Sequence, residues 1–521
     1  MNLLDLKLVF LDLQTTGASP ATGNPLEVAW TVGCAADNSP GPTHRYLLKQ
    51  PDEQPLPKRI QALTGITDGD MEHAVDWPHA RAELNTAFHD APLSAFVIHY
   101  AQFERPFLRA LYENFDEQFT LSCTHQIATR IFPNLPSRGI RGLAGYFGFP
   151  LDECKRANTH VEATFEIWKH LCALLHEREI TTWEELQNWL ATSPKARRTK
   201  YEYPLDRGIR LAMPDCPGIY KMMSRRGDVL YVGKATSLKD RVNSYFRGRK
   251  HRDPKKLEML TQAWDIKVET CPTVLEACLL EVKEIKRLAP PYNIALNTGL
   301  RPLLFYSEDF ASVSIKQSEE HPVGPFRNEF VLDGFLRFMC SMRTGEWDTL
   351  MFFEQFEPQI IEEGFQLFCA AMNIERKRLV DSRTALAIGA VLYRQFKREA
   401  HAVDEEIADE LEEELQNAAE AEAESKVEIT PEEMAVKFGK LLRRATHAYL
   451  LSRKLTRLLN ARVTFTESGV QRTLAFDNTV AKGMFPWENA DIVTFDVLRV
   501  LQTELTRLKK NGEQVAIAEA S

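Results

Sequence analysis

Pro217-Gly218-Ile219-Tyr220 and Val229-Leu230-Tyr231-Val232-Gly233-Lys234-Ala235 are two short apolar runs, with Arg225-Arg226-Gly227-Asp228 between them. Their β-branched and aromatic content, broken by a Gly-Asp turn, predicts a β-hairpin. Tyr220 and Tyr231 would then lie side by side on paired strands. The stretch 237–247 reads as a helix whose first turn follows the Gly233 loop. Arg241 and Tyr245 are four apart there and share a helix face. Farther on stand Leu279-Leu280-Glu281 and Pro291-Tyr292-Asn293. Together these runs predict a small α/β unit over 206–298.

These are the groups that phosphodiester hydrolysis needs: a base for water, a cation for the phosphorane, support for the leaving alkoxide. An ordinary tyrosine titrates near 10, so one acting as a base at neutral pH needs a nearby cation, a field Lys234 is suited to supply. Arg241 offers a planar fork to two phosphate oxygens. Glu281 is a hard oxygen ligand suited to Mg²⁺ or Mn²⁺, and one such ion serves as a Lewis acid on the leaving oxygen. Each residue alone reads as core, rim or solvated surface; their order and combination carry the signal.

Residues 212–297 resemble the GIY-YIG nucleases, and within them the N-terminal domain of the excinuclease subunit UvrC and its shorter relative Cho. The Thr273-Val-Leu-Glu-Ala-Cys-Leu-Leu-Glu281 run and the Pro-Pro-Tyr-Asn ending belong to the likeness. The resemblance implies a single-strand cut 3′ to a DNA lesion. It implies Tyr231 as general base with Lys234 adjusting it, and Tyr220 orienting the water or the base. In other branches of the family the Tyr220 position is the base, so both assignments stand. Arg241 and Tyr245 would hold the scissile phosphate, and Glu281 the metal. Gly233 and Asn293 would serve substrate binding. The four-cysteine cluster, second nuclease and tandem helix-hairpin-helix motifs of UvrC have no counterpart here, which brings the chain closer to Cho.

Upstream, Asp12-Leu13-Gln14-Thr15-Thr16-Gly17 follows an apolar strand-like run. Then come Leu63-Thr64-Gly65-Ile66-Thr67, His99-Tyr100-Ala101-Gln102-Phe103-Glu104 and Arg156-Ala157-Asn158-Thr159-His160. Strands interleaved with helices predict an α/β domain over 1–178. The segment 6–176 resembles the DnaQ-like (DEDDh) 3′–5′ exonucleases, which implies an RNase H-like fold and a two-metal site. Two-metal hydrolysis needs several carboxylates. Asp12 is present, but Gln14 stands where the family has Glu, and Glu104 replaces Asp. Lys155 stands at the histidine position and His160 at the final Asp. A neutral amide and a cation do not hold dications, so this site is expected to be degenerate.

Charge distribution adds to this. The chain of 521 residues has a net charge of −9, yet residues 195–256 hold 18 Lys/Arg against 6 Asp/Glu. Such a basic block is the footprint expected for a phosphate backbone, with a solvated basic linker as its plain alternative. Residues 404–433 hold 14 Asp/Glu against one Lys, which predicts an exposed helix or tether. The expected order is 1–178, a basic linker 179–205, the small domain 206–298, a connector and helical region 299–400, the acidic segment 401–433, and a helical and β-hairpin region 434–521. The fold class expected is thus multidomain α/β with a mostly helical C-terminal part.

Hydrophobic residues at 44% and charged residues at 26% exclude a mainly disordered or membrane-embedded chain. The nine cysteines are scattered with no C-x-x-C pair, so no disulfide framework, zinc site or iron–sulfur cluster is expected. No apolar run reaches the roughly 18 residues of a membrane span. The expected setting is bacterial cytoplasm, at the nucleoid, with damaged or structured duplex DNA and a UvrB-like repair protein as partners and no membrane. Three rival readings remain: a bifunctional nuclease that also trims 3′ ends, a non-catalytic DNA-binding scaffold, and a nuclease acting on foreign DNA.

Overall fold

The computed structural model describes residues 1–521 apart from 52–54, 150–154, 193–199, 248–252, 294–302, 328–331, 348–355, 400–428, 460, 478–479, 483–490, 493 and 520–521. Chain contacts divide it into two compact units, Met1–Glu269 with Pro290–Ile294 and Thr270–Ala289 with Ala295–Ser521.

The first unit opens with strands β1 (Leu8–Thr15), β2 (Pro25–Gly33), β3 (His44–Leu47), β4 (Ala95–Ile98) and β5 (Thr120–Cys123), ordered β3-β2-β1-β4-β5. The β1–β2 and β2–β3 pairs are antiparallel, and β1–β4 and β4–β5 parallel. This is the RNase H-like α/β arrangement expected from the sequence. Central β1 is buried from Leu8 to Leu13, as its near-continuous apolar run requires of a strand covered on both faces. Helices α1 (Ala101–Leu111), α2 (Ile140–Phe147) and α3 (Ala157–His176) follow.

Helix α3 lies on the sheet. Phe165 meets Phe10 edge-on at 5.2 Å between ring centroids, and Trp168 does so at 6.4 Å. A Cβ on Gly33 would stand 2.7 Å from the Phe165 ring, so only glycine lets β2 pass this close. The start of α3 is tied to β2 by the buried Glu27 carboxylate. It accepts from Arg156 at 2.6 Å and from the Ala157 N–H at 2.9 Å. A buried carboxylate is tolerable only when paired in this way, and the helix N-terminus favours its charge.

The same unit carries the predicted hairpin, β6 (Gly218–Met223) and β7 (Val229–Ala235), with β8 (Asp265–Thr270) completing a sheet ordered β7-β6-β8. Helices α4 (Leu238–Ser244) and α5 (Pro254–Gln262) flank it. The region expected as a linker holds a helix, Trp183–Ala191, whose N-terminus is closed by a Thr182/Glu185 capping box. Its basic part, 193–199, lies outside the described residues.

The second unit begins with α6 (Val274–Leu288). It continues through β9 (Leu304–Tyr306), β10 (Val313–Ser314) and β11 (Val323–Phe326). Helices α7 (Asp333–Thr344), α8 (Pro358–Met372), α9 (Ser382–Glu399) and α10 (Pro431–Thr456) follow. Phe338, Phe365, Phe368 and Phe438 fill the core between these helices. A Cβ on Gly389 would overlap Thr446 and the Leu442 carbonyl, so α9 and α10 cross with backbones in contact. The acidic segment expected over 401–433 falls mainly on 400–428, outside the described residues; its last residues enter the first turn of α10.

The hairpin expected near 462–476 is present as β12 (Ala461–Glu467) and β13 (Val470–Asp477). It belongs to a five-stranded sheet that also holds β14 (Val480–Lys482), β15 (Asp491–Ile492) and β16 (Val515–Glu519), with helix α11 (Phe495–Lys510) between the last two strands. Helix α6 packs into this part through Leu275, Leu279 and Val282, against Leu458, Val463, Phe465, Leu498 and Leu501. Arg472 donates to Glu276 at 3.1 Å, and Lys286 pairs with Asp496 at 2.6 Å. No helix among the described residues is long and apolar enough to cross a membrane.

Candidate active sites

Strand register decides how the tyrosines meet. Tyr220 stands opposite Gly233, and Tyr231 opposite Met222. The two tyrosines therefore face each other diagonally on one side of the hairpin, 6.1 Å between ring centroids, and not directly across it. A Cβ at position 233 would overlap the Tyr220 hydroxyl and stand 2.8 Å from the Tyr231 ring. Glycine is thus required there so that both rings fit.

Tyr245, just past the end of α4, completes the group. Its hydroxyl and that of Tyr220 share a hydrogen bond of 2.8 Å, and its ring lies 6.5 Å from that of Tyr231. Arg241 stacks its guanidinium over Tyr245 at 5.5 Å. Burial works against the Arg241 charge, but the phenols of Tyr220 and Tyr245 more than offset this and raise its pKa. Tyr220 is fully buried. That burial, and then the neighbouring Tyr245 and Tyr231, push its pKa far above the ordinary tyrosine value. Tyr231 and Tyr245 are half-buried, and Lys234 and Arg241 are exposed.

Asn293, expected to serve substrate binding, is engaged by the backbone of β7. Its side-chain oxygen accepts from the Val232 N–H and its amide donates to the Val232 carbonyl, both at 2.9 Å. It acts as a surrogate strand along β7. Glu281 lies half-buried in the middle of α6, within the second unit. Its carboxylate is a hard donor of the kind a small divalent ion takes. Among the described residues no group of three or more His, Cys, Asp or Glu is disposed to hold a metal. A single carboxylate with water completing the shell is a mode Mg²⁺ commonly uses.

The N-terminal constellation also assembles. Asp12 and Gln14 alternate onto one face of β1. The Gln14 amide donates to Asp12 Oδ2 at 3.1 Å, while His160 Nδ1 lies 3.1 Å from Asp12 Oδ1 and 3.3 Å from Gln14 Nε2. Glu104, on the first turn of α1, is 3% exposed, and its Oε2 has no partner among the described residues. Burial, then the charge of Asp12, hold its carboxyl well above the usual range. His99, buried beside Thr124, is pushed down to about 3 by burial and then by His125 and His160. Lys155 is exposed, with its side chain against the Gly65 turn. The structure thus brings together Asp12, Gln14, Glu104 and His160, and lays the exposed Lys155 side chain against Gly65.

Residues 216–294 match the family model described as the UvrC-like GIY-YIG domain. This segment is a UvrC-like GIY-YIG domain. A putative bifunctional exonuclease/endonuclease protein of Mycobacterium tuberculosis is 30% identical over 340 residues, 63% of this chain and 51% of that protein. UvrABC system protein C of Nitrosococcus oceani is 39% identical over 132 residues, 24% of this chain and 22% of that protein. The chain therefore spans about half the length of the first relative and less of the second. Among solved structures, the magnesium-bound N-terminal GIY-YIG endonuclease domain of UvrC from Thermotoga maritima is 30% identical. The match covers 17% of this chain and 94% of that one, with a TM-score of 0.16.

Two contacts that support the GIY-YIG domain were not foreseen from the sequence, although Tyr292 itself belongs to the motif. Tyr292 is a hydrogen-bonding hub, donating to Glu258 at 2.7 Å and accepting from Gln262. Arg141, far upstream, stacks on its ring at 4.9 Å. Nothing local in the sequence marks a contact between residues so far apart in the chain.

Proposed function

We propose that the chain is a metal-dependent DNA endonuclease that makes a single-strand incision through its GIY-YIG site. The observation that carries this reading is the cluster of Tyr220, Tyr231, Tyr245 and Arg241 around Gly233. The setting proposed is nucleotide excision repair of Cho or UvrC type, in the bacterial cytoplasm at the nucleoid, on damaged or structured duplex DNA and with a UvrB-like partner. The names of the relatives support the class.

Tyr231 is the better base of the two tyrosines. Tyr220 is sealed in the core, holds its proton strongly and shares it with Tyr245. It therefore orients Tyr231 or the water. Tyr231 keeps partial access to solvent, and Lys234, three residues on, supplies positive field. Arg241, its charge reinforced by the phenols around it, receives the scissile phosphate with Tyr245 beside it. Glu281 would hold the ion, Mg²⁺ or Mn²⁺, which supplies Lewis acidity at the leaving oxygen when bound. The proposed module boundaries are 1–178, 206–298, 299–400 and 434–521.

The N-terminal module is proposed as a degenerate exonuclease that grips DNA or a partner. Gln14 and His160 take up both oxygens of Asp12, and neither supplies the charge that two dications demand. A second reading, retained 3′–5′ trimming, is favoured by one observation: the partnerless Glu104 Oε2 close to Asp12. Nicking of a 5′-labelled duplex, damaged and undamaged, separates these readings. Wild type should nick, Glu281→Ala should not, and Asp12→Ala should match wild type. Loss of a 3′ label that depends on Asp12 would establish the second reading instead. Absence of any nick from wild type would favour a scaffold, and equal cutting of both duplexes would point to foreign DNA.

A further inference from the structure

Tyr292 and Asn293 sit side by side and grip the same strand. Asn293 clamps both backbone groups of Val232, between Tyr231 and Gly233. The Tyr292 N–H donates to the Leu230 carbonyl at 3.1 Å. The pair thus holds β7 on either side of Tyr231. Tyr292 is itself held by its hydroxyl, through Glu258 and Gln262 of α5. Burial, then the Glu258 charge, raise its pKa, so it remains a donor.

What covers the Tyr292 ring comes from the other module of the first unit. The Arg141 guanidinium of α2 lies over it at 4.9 Å, and Arg141 Nε stands 3.9 Å from Glu258. A cation over an aromatic face is worth roughly 0.5–2 kcal/mol according to burial. Shape fixes the approach. A Cβ on Gly145 would overlap the Gln262 amide, and one on Gly142 would stand 3.3 Å from Glu258 Cγ. Tyr146 meets Trp264 at 5.4 Å, and the Ser137 N–H donates to Thr261 at 2.9 Å. Two glycines on α2 face the side chains of α5 that hold Tyr292, so α2 seats closely against α5.

We propose that Arg141 is a positioning residue for the GIY-YIG site, fixing β7, and with it Tyr231, through Tyr292 and Asn293. The claim rests on that site being the nicking centre, and it gives the N-terminal module a role that needs no chemistry at Asp12. Small displacements of a reacting group cost up to about a hundredfold in rate, so a strand that drifts by a fraction of that matters.

The test uses the full chain as wild type, Arg141→Ala, Arg141→Lys and Tyr292→Phe. Two quantities are read: amide hydrogen exchange over 229–235, and kcat and KM for duplex nicking. Arg141→Ala should speed exchange in β7 and lower kcat about tenfold with KM unchanged. Arg141→Lys, which keeps a cation over the ring, should recover most of both. Tyr292→Phe keeps the ring and loses the hydroxyl bonds, and should also loosen β7. Unchanged exchange over 229–235 in Arg141→Ala overturns the proposal, as does a raised KM at constant kcat. If wild type does not nick, the endonuclease reading fails by itself and exchange alone decides the role of Arg141.

Discussion

Tyr220 and Tyr231 carry the same side chain on one face of one hairpin, yet their surroundings part them. Tyr220 is sealed and bonded to Tyr245; Tyr231 is half open. Removing the base should cost about 10²–10⁴-fold in nicking rate. Tyr231→Phe is therefore expected to lose activity on that scale and to abolish the rise of rate with pH. Tyr220→Phe should lose less and keep the rise. A pH–rate profile of both variants checks this, and the reverse order would return the base role to Tyr220. Glu104 gives a second expectation. Its carboxyl is raised in the folded state by burial and by Asp12. Such a group stabilises the fold below its unfolded value of about 4.3, and that stability is lost as pH rises through the folded value. Glu104→Gln should raise the melting temperature most at alkaline pH, with the gain shrinking toward about pH 4. Melting curves across that range decide it, and a gain independent of pH would contradict the assignment.

At the scale of elements, β7 is where backbone and chemistry meet. Gly233→Ala would drive a methyl group into the Tyr220 hydroxyl. Overpacking of this kind costs about 1–3 kcal/mol. Urea melts should show a loss of that size, and nicking should fall further than stability does. An alanine tolerated without loss of either would mean that the two rings have room to separate. The hairpin and α4 were legible because their signals are local: alternation, a Gly-Asp turn, residues four apart. Register was not legible, since a shift of two residues, which keeps every side chain on its face, separates a directly opposed pair from the diagonal one found. The clamp made by Asn293 was not legible for a related reason. An amide near a catalytic motif suggests a ligand, whereas its clamp on Val232 is a tertiary fact. In the N-terminal module Asp12, Gln14, Glu104 and His160 lie together, and the Lys155 side chain lies against Gly65, a contact that no local pattern marks. The strand Val515–Glu519 was not foreseen, although the Asn511-Gly512 turn precedes it.

For the whole molecule, the division of contacts does not follow the division of motifs. Helix α6 lies inside the segment matched to the GIY-YIG family, yet its apolar face is buried within the second unit. Each of Leu275, Leu279 and Val282 gains roughly 1.5–3 kcal/mol from burial. A fragment of 206–298 alone leaves these side chains in water. It should bind a hydrophobic dye and sediment as aggregates, while the full chain does neither. A monomeric, dye-silent fragment would show that α6 finds other cover within the domain.

The interleaving also has a consequence in time. A ribosome releases Glu276 long before Arg472, its partner 196 positions later. At about 5–20 residues per second the wait is roughly 10–40 s. Throughout that interval the nascent chain trails an apolar helix that lacks most of its cover, from Leu455 to Leu508, just behind the strands that carry its tyrosines. Synthesis of this protein therefore passes through a stage that calls for chaperone cover, and a slow codon or a stalled ribosome between 290 and 460 would prolong it.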